Sequence, residues 1–526
     1  MKEKNQFPVI DIFAGPGGLG EGFSSYQTKN HSNSFRIGLS IECDKFAHET
    51  LILRKFFNKL MLKKDTKDYY RFLRKDISSD ELFERHKKEH EASEEEAWLA
   101  TLGKTSQEEV DEKIKKALGK EKDWVLIGGP PCKAYSVVGR SRNRGIHSND
   151  PNVRLYLEYL KILHNFSPSV FILENVRGLL TSEVDGKNVF DEIVSELESP
   201  EKTLAGQNGI TKGGSRRAHK YRVVSLVTRP TGNNLFGPPE YVPSDFLIHC
   251  EKYGIPQARP RVILMGIRDD IDGDPDLLKP EKELSVQEAL NGLPKLRSGL
   301  SNGGDSKQLW KEILKDGRNM PWFRELKNLH PRVYKEVGQT LENLSCPNLD
   351  RGEEFISLGV NTNPKKHPFF RWVWDKRISG VCNHTTRGHI NNDLYRYLFA
   401  SCFAKIHEKS PKLKDYPHSL LPKHKNIKKA VEGGLFSDRF RVQLKKKPST
   451  TVTSHISKDG HYFIHYDPSQ CRSLTVREAA RLQTFPDNYF FCGPRTSQYT
   501  QVGNAVPPLL ANQIAEIVYG LLNRKV

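Results

Sequence analysis

The chain has 526 residues, enough for two or more domains with sizeable cores. No apolar run approaches membrane-spanning length and the N-terminus lacks the apolar segment of a signal peptide, so the reading excludes a membrane protein. The formal net charge is +18, and the eight cysteines (positions 43, 132, 250, 346, 382, 402, 471 and 492) include no Cys-x-x-Cys pair, which argues against a zinc cluster or a disulfide framework and for a reducing, intracellular setting.

Val9–Phe13 reads as a first strand, Gly15–Gly20 as a glycine turn and Glu21–Tyr26 as the opening of a helix. Phe35–Ile41 is a second strand ending at Glu42, and Lys75-Asp76-Ile77 places an acid at the end of a third. Residues 79–122 carry 13 acidic against 9 basic side chains and read as a charged, helical surface insertion. Trp124-Val125-Leu126-Ile127 is a short apolar run typical of a buried parallel strand. Gly128-Gly129-Pro130-Pro131-Cys132 follows, and its prolines stop the strand because each fixes φ and lacks a ladder donor.

Asn152–Phe166 is helical, with Val153, Tyr156, Leu160 and Leu163 at a 3.6-residue period. Val170–Leu173, Val223–Val227 and Val262–Met265 are further strands. The alternation predicts an α/β fold with a doubly wound parallel sheet. Beyond Arg268 the pattern dissolves, and residues 269–447 read as a smaller, irregular second domain. Helices return at Thr475–Leu482 and Asn512–Leu522. Basic residues concentrate at 405–447 (13 Lys/Arg against 4 Asp/Glu) and 201–222 (6 against 1). Such runs suit a polyphosphate partner, with a merely solvated face as the alternative.

Several constellations carry chemistry. Gly15-Pro16-Gly17-Gly18-Leu19-Gly20 matches G-x-G-x-x-G after a strand, with Glu42 ending the next; this suits a nucleoside cofactor, dinucleotide or adenosyl. Cys132 sits on a rigid turn beyond a strand's carboxyl end, where reacting groups of α/β sheets lie, with Lys133, Arg140, Arg142 and Arg144 nearby to favour a thiolate. Glu174-Asn175-Val176 ends a strand at the same edge, where a carboxyl group can act as acid or hydrogen-bond donor. In Gln257-Ala258-Arg259-Pro260-Arg261 the proline fixes the directions of two permanent cations. His384-Thr385-Thr386-Arg387-Gly388-His389 lacks a suitably spaced cysteine or carboxylate for zinc and reads as a base- or phosphate-contacting segment.

In order along the chain, DIFAGPGG, GGPPC, ENV, QARPR, RSLTVREAARLQTFPD and QVGNAVPP resemble the motifs of DNA cytosine-5 methyltransferases, of the bacterial kind found in restriction–modification systems. The resemblance covers residues 9–268, less 79–122, and 448–508; residues 269–447 lie where the family keeps its variable target-recognition domain. It implies a Rossmann-like S-adenosylmethionine-dependent sheet, with 1–268 and 497–526 as the catalytic domain, 269–471 as the target-recognition domain and 472–496 as a hinge helix segment.

The resemblance also implies roles. Cys132 attacks C6 of a flipped cytosine, Glu174 contacts N3 and the amino group, and Arg259 and Arg261 hold the O2 edge. S-adenosyl-L-methionine would meet Phe13, Ala14, Gly15, Gly17, Gly18, Leu19, Glu42, Asp76, Ile77, Pro131, Leu155, Asn504 and Ala505, with Asp76 on the adenine amino group. Lys133, Ser136, Arg140 and Gln257 would contact DNA, and no metal is needed. The implied protein is a cytoplasmic monomer associated with the nucleoid through double-stranded DNA, with room for a cognate restriction endonuclease acting separately.

Two departures stand out: Lys133 where the family has glutamine, and Cys43 where an aromatic often follows the ribose-binding acid. The rivals are the same chemistry on RNA, a dinucleotide-dependent oxidoreductase, which leaves Cys132, Glu174 and the arginine pair without a role, and a catalytically silent DNA-binding protein.

Overall fold

The computed structural model describes residues 6–28, 33–131, 151–184, 187–204, 219–230, 240–344, 350–358, 368–423, 427–434 and 436–524. Its centre is an eight-stranded sheet: β1 (Phe7–Ile12), β2 (Phe35–Glu42), β3 (Ala97–Leu99), β4 (Val125–Gly128), β5 (Val170–Val176), β6 (Tyr221–Val224), β7 (Leu247–His249) and β8 (Pro260–Arg268). The order is β3-β2-β1-β4-β5-β8-β6, with β7 beside β8. Neighbouring residues along each strand face opposite layers: Val9 and Ile10, Leu126 and Ile127, Phe171 and Ile172, Ile263 and Leu264 all lie buried in two separate cores. This two-sided burial explains why the strands read as continuous apolar runs.

The expected all-parallel sheet is corrected at one strand. β1 to β5 pair in parallel, but β8 runs antiparallel to β5 and β6. Among the described residues the chain reaches β8 through short turns instead of a crossover helix, and such a return reverses strand direction.

Helices α1 (Gly18–Ser24) and α2 (Lys45–Leu62) follow β1 and β2. Residues 79–122, expected as a surface insertion, belong to the fold. They supply α3 (Ser79–Arg85), α4 (Lys87–Glu96), strand β3 and α5 (Gln107–Leu118). Val110, Ile114 and Leu118 recur every four residues on one face of α5 and join the core beside Ile10, Ile12 and Leu126. Apart from the buried Asp111, which accepts from Gln107 and Asn165, the charges lie towards solvent, which hid the helix's role. On the far side of β4, α6 (Pro151–Phe166) packs Tyr159, Leu160 and Leu163 into the same core.

The second domain is more regular than its composition suggests. Helices Lys307–Asp316, Pro321–Leu329 and Pro331–Glu342 surround Asn391–His407, burying Trp310, Trp322, Val333, Val337, Leu398 and Phe399. Helix α7 (Val476–Leu482) is buried at every residue and capped by a reciprocal Thr475–Glu478 box. Its core draws in Val286, Phe370, Val452, Phe491 and Val502. Helices α8 (Arg495–Asn504) and α9 (Pro508–Asn523) close the chain. Together they contain a window apolar enough to cross a membrane, but 67% of it is buried within the protein, much of it against α1 and the sheet.

The segment 384–389, expected to touch bases or phosphates, is structural. His384 bonds Thr475 Oγ1 at 2.8 Å and the Pro294 carbonyl at 3.0 Å, while Arg387 donates to the Ile456 carbonyl at 2.6 Å and stacks over Tyr499. Burial lowers both His384 and His465 to about 4. Each imidazole therefore takes up its proton near pH 6.5 when unfolded and near pH 4 when folded. The unfolded chain binds more protons in that window, so stability is complete above pH 6.5 and falls as pH drops towards 4. Each histidine should cost about 3 kcal/mol across the window. The urea midpoint should decline from pH 7 to pH 5, and a flat midpoint would contradict the assignment.

Candidate active site

The carboxyl edge of β1, β2 and β4 gathers the first group of expected residues. Phe13 leaves β1 at φ 53°, an unusual left-handed conformation, and Gly15 and Gly17 continue the turn at φ 56° and 92°. Glu42 ends β2 with its carboxylate pinned beside that turn. Oε2 accepts the Gly15 amide at 2.7 Å, and Oε1 accepts those of Cys43 and Asp44 at 2.9 and 2.8 Å. A carboxylate offers about four acceptor positions, so one on Oε2 remains for a ligand hydroxyl. Gly18 packs so closely under the last motif that a Cβ there would lie 2.3 Å from the Val506 carbonyl. This contact brings Ala505 and the exposed Asn504 to the same edge as the turn.

Leu155 and Pro131 are half-buried at the ends of α6 and β4. Leu19 is buried in the core under the turn, and Ala14 is held by its amide to the Ile41 carbonyl at 3.1 Å.

Asp76 and Ile77 are not at this edge, which corrects the third-strand expectation. They follow the helix Lys67–Leu73, which packs on the side of α2 against Leu53, Phe56 and Phe57 and contributes no strand to the sheet. Asp76 accepts from Arg74 at 3.1 Å, and Ile77 packs with Tyr69, Tyr70 and Cys382. The true third strand is β3, whose Leu99 lies opposite Glu42.

The second group lies at the ends of β4, β5 and β8. Glu174 on β5 pairs with Arg261 on β8, Oε1 to Nε 2.8 Å, both side chains about nine-tenths buried. The ladder explains the meeting: Glu174 sits opposite Ile263, so Arg261 is the next residue of β8 on the same face. Gly129 closes over this pair; a Cβ there would lie 2.8 Å from Glu174 Oε2.

Because Gly129 would meet only the free end of a side chain, Gly129→Ala should leave melting nearly unchanged while displacing the carboxylate. A displacement of about 1 Å costs about 100-fold in rate, to be read as kcat/KM. Gly128→Ala should do the reverse, since its Cβ would meet the Ile12 carbonyl of the backbone at 2.6 Å. Equal melting losses in both variants would contradict this division.

Cys132, Lys133, Ser136 and Arg140 lie outside the described residues. Cys250 is the buried thiol near the arginines; burial pushes it up to about 12, so it stays a thiol.

Arg259 and Gln257 do not face the Glu174–Arg261 pair. Arg259 is 1% exposed and donates to the carbonyls of Val452 (2.7 Å), Gly503 (3.2 Å) and Ala505 (2.8 Å). Gln257 is fully buried, donating to the Leu482 carbonyl at 3.2 Å and accepting from the Val452 amide at 2.7 Å. The expected catalytic and DNA-contacting roles are thus corrected to positioning ones. Around Pro260 the two arginines meet different partners: Arg259 takes backbone carbonyls and Arg261 the Glu174 carboxylate. The Thr451 hydroxyl is likewise spent internally, on the Ala258 carbonyl at 2.8 Å.

The model of the C-5 cytosine-specific DNA methylase family matches residues 87–201 and 234–519, well over half of the chain. The chain belongs to this family. It is 32% identical to the type II methyltransferase M.Bpa9945I of Bacillus paralicheniformis, over 98% of this chain and 99% of that one. It is 25% identical to the DNA (cytosine-5-)-methyltransferase M.ApeKI of Aeropyrum pernix, over 76% and 81%. A solved putative DNA modification methyltransferase encoded within an E. coli prophage shares the fold, with TM-score 0.53 at 16% identity over 98% of this chain and 100% of that one.

As a cytosine-5 DNA methyltransferase, the chain uses S-adenosyl-L-methionine, and its residues fit that group. The glycine turn gives close backbone access, Glu42 keeps one acceptor for a ribose hydroxyl, and Phe13, Leu102 and Tyr156 share an apolar cluster beside it.

Proposed function

We propose that this methyltransferase modifies one cytosine within a defined sequence of double-stranded DNA through covalent catalysis by Cys132. The observation that carries the reading is the Glu174–Arg261 pair, held beneath the Gly128–Pro131 turn that delivers Cys132. S-adenosyl-L-methionine supplies the methyl group. The Cys132 thiolate adds to C6 of a flipped base, forming an S–C6 bond and pushing the ring's electron pair towards C5. Glu174 holds N3 and the amino group against the charge that builds on the ring, and Arg261 fixes Glu174 and faces O2. Once C5 has taken the methyl group, with S-adenosylhomocysteine as the leaving group, loss of the C5 proton restores the C5–C6 double bond, breaks the S–C6 bond and releases Cys132.

Lys133, Ser136 and Arg140 would hold the DNA backbone over this cleft. The exposed Lys409, Lys412, Lys414, Lys428, Lys429 and Lys445 add a basic face on the second domain. The length of chain between β8 and Ser449 supports direct reading of a sequence in the major groove. The similarity to type II methyltransferases supports protection of cellular DNA from a cognate endonuclease, by a monomer acting in the cytoplasm. Bisulfite sequencing of DNA from cells expressing the chain tests this. Protected cytosines should fall in one short sequence context and vanish with Glu174→Ala. Protection without a common context would overturn the specificity.

A further inference from the structure

We infer that Thr101, through its hydroxyl, takes the amino edge of the adenine, in place of the carboxylate expected at the end of a third strand. The inference rests on the S-adenosyl-L-methionine reading and names a residue of that same site.

Three observations converge on this residue. First, the sheet fixes where β3 crosses the carboxyl edge. Leu99 lies opposite Glu42, and the Ala100 amide donates to the Glu42 carbonyl at 2.9 Å. Thr101 is therefore the first residue past the edge, next to the acid that keeps an acceptor for ribose. Second, its backbone is fixed while its side chain is exposed: the Thr101 carbonyl accepts the amides of Lys104 and Thr105, both at 3.0 Å. Third, the loop bends towards the other wall of the cleft. Leu102 is buried in the cluster containing Phe13 and Tyr156, and a Cβ on Gly103, at φ 82°, would lie 3.7 Å from Glu158 of α6. Leu102 thus supplies apolar surface beside Phe13 while Thr101 supplies the polar group.

Neither nearby carboxylate competes. Asp76 follows a helix on the side of α2, outside the sheet, in contact with Arg74, and Glu158 pairs with Lys161 at 2.8 Å. The substitution has a chemical consequence. A carboxylate only accepts, so it demands the adenine amino group; a hydroxyl both accepts and donates, so it also tolerates a carbonyl there.

Calorimetric titration of the intact chain with S-adenosylhomocysteine and S-inosylhomocysteine tests the inference. The unaltered chain should bind both, preferring the adenosyl compound by less than about 10-fold. Thr101→Val should lose about 3- to 10-fold in affinity for the adenosyl compound, the worth of one neutral hydrogen bond. Thr101→Asp should widen the preference beyond that of the unaltered chain, and Asp76→Asn should bind as the unaltered chain does. Thr101→Val binding at full strength, or Asp76→Asn binding weakly, would overturn the assignment while leaving the cofactor reading intact. Failure of the unaltered chain to bind S-adenosylhomocysteine would overturn both.

Discussion

Cys132→Ala should abolish methyl transfer while DNA affinity stays near that of the unaltered chain. Cytosine C5 is too weak a nucleophile to react unless C6 first carries an added group, so removing that group removes the reaction path and not a contact. The expected loss is at least about 1000-fold in turnover, as when a covalent nucleophile is removed from an enzyme that relies on one. A hydroxyl is a poor substitute for a thiolate at neutral pH, so Cys132→Ser should lose nearly as much. DNA carrying 5-fluorocytosine gives the direct readout: fluorine cannot leave C5 as a proton does, so the S–C6 bond persists as a stable adduct. The unaltered chain should form the adduct with S-adenosyl-L-methionine present, and neither variant should. The Cys250 thiol, near Arg259 and Arg261, cannot take over, because burial keeps it protonated, pushed up to about 12. An adduct formed by Cys132→Ser would remove Cys132 from the role assigned to it.

Arg259→Ala should destabilise the fold by about 3–5 kcal/mol, with activity lost as a consequence. The guanidinium is 1% exposed and satisfies three carbonyls from segments nearly 200 residues and more away in sequence. Its removal takes the guanidinium donor from Val452 and Gly503, with the Ala505 carbonyl keeping Gln483 Nε2 at 2.7 Å, and leaves a void behind. Arg259→Lys should recover little, since one ammonium cannot reproduce the planar fork that spans Val452 and Ala505. Arg261→Ala should lose activity through the displaced Glu174 carboxylate, while the three backbone carbonyls keep Arg259 as their donor. An Arg259→Ala chain that unfolds at the unaltered urea concentration would refute the positioning role.

The two arginines show how far sequence reading reaches. Gln257-Ala258-Arg259-Pro260-Arg261 announced fixed cations, but which one faced the cleft depended on the pairing of β8 with β5 and on a strand contact with Ser449–Thr450. Strands β1, β2, β4, β5 and β8 were legible because burial on both faces leaves a continuous apolar run. Strand β3 was not: three residues after an acidic helix give no periodic signal, and Asp76 stood in for it. The helices beyond Arg268 were hidden for a related reason, since their apolar residues are spread among Lys, Asn, Gly and Pro in a composition that resembles loops. The site was readable where backbone geometry demanded particular residues, as at Gly15, Gly17 and Gly129. It was unreadable where a buried polar side chain such as Gln257 looks, in one dimension, like a surface group.

The pairing of Gln257–Ala258 with Ser449–Thr450 has an evolutionary consequence. Strand β8, nine residues and ~30 Å long, follows Ala258 and ends at Arg268, so the stretch between Arg268 and Ser449 leaves at the far end of β8 and comes back beside that strand's start. To the sheet, the whole region is a single loop, and loop closure grows only with the logarithm of length. Lineages can therefore lengthen or shorten this stretch at little entropic cost, while contacts that tie it to α7, such as Arg477 Nε on the Cys382 carbonyl at 3.0 Å, hold its position.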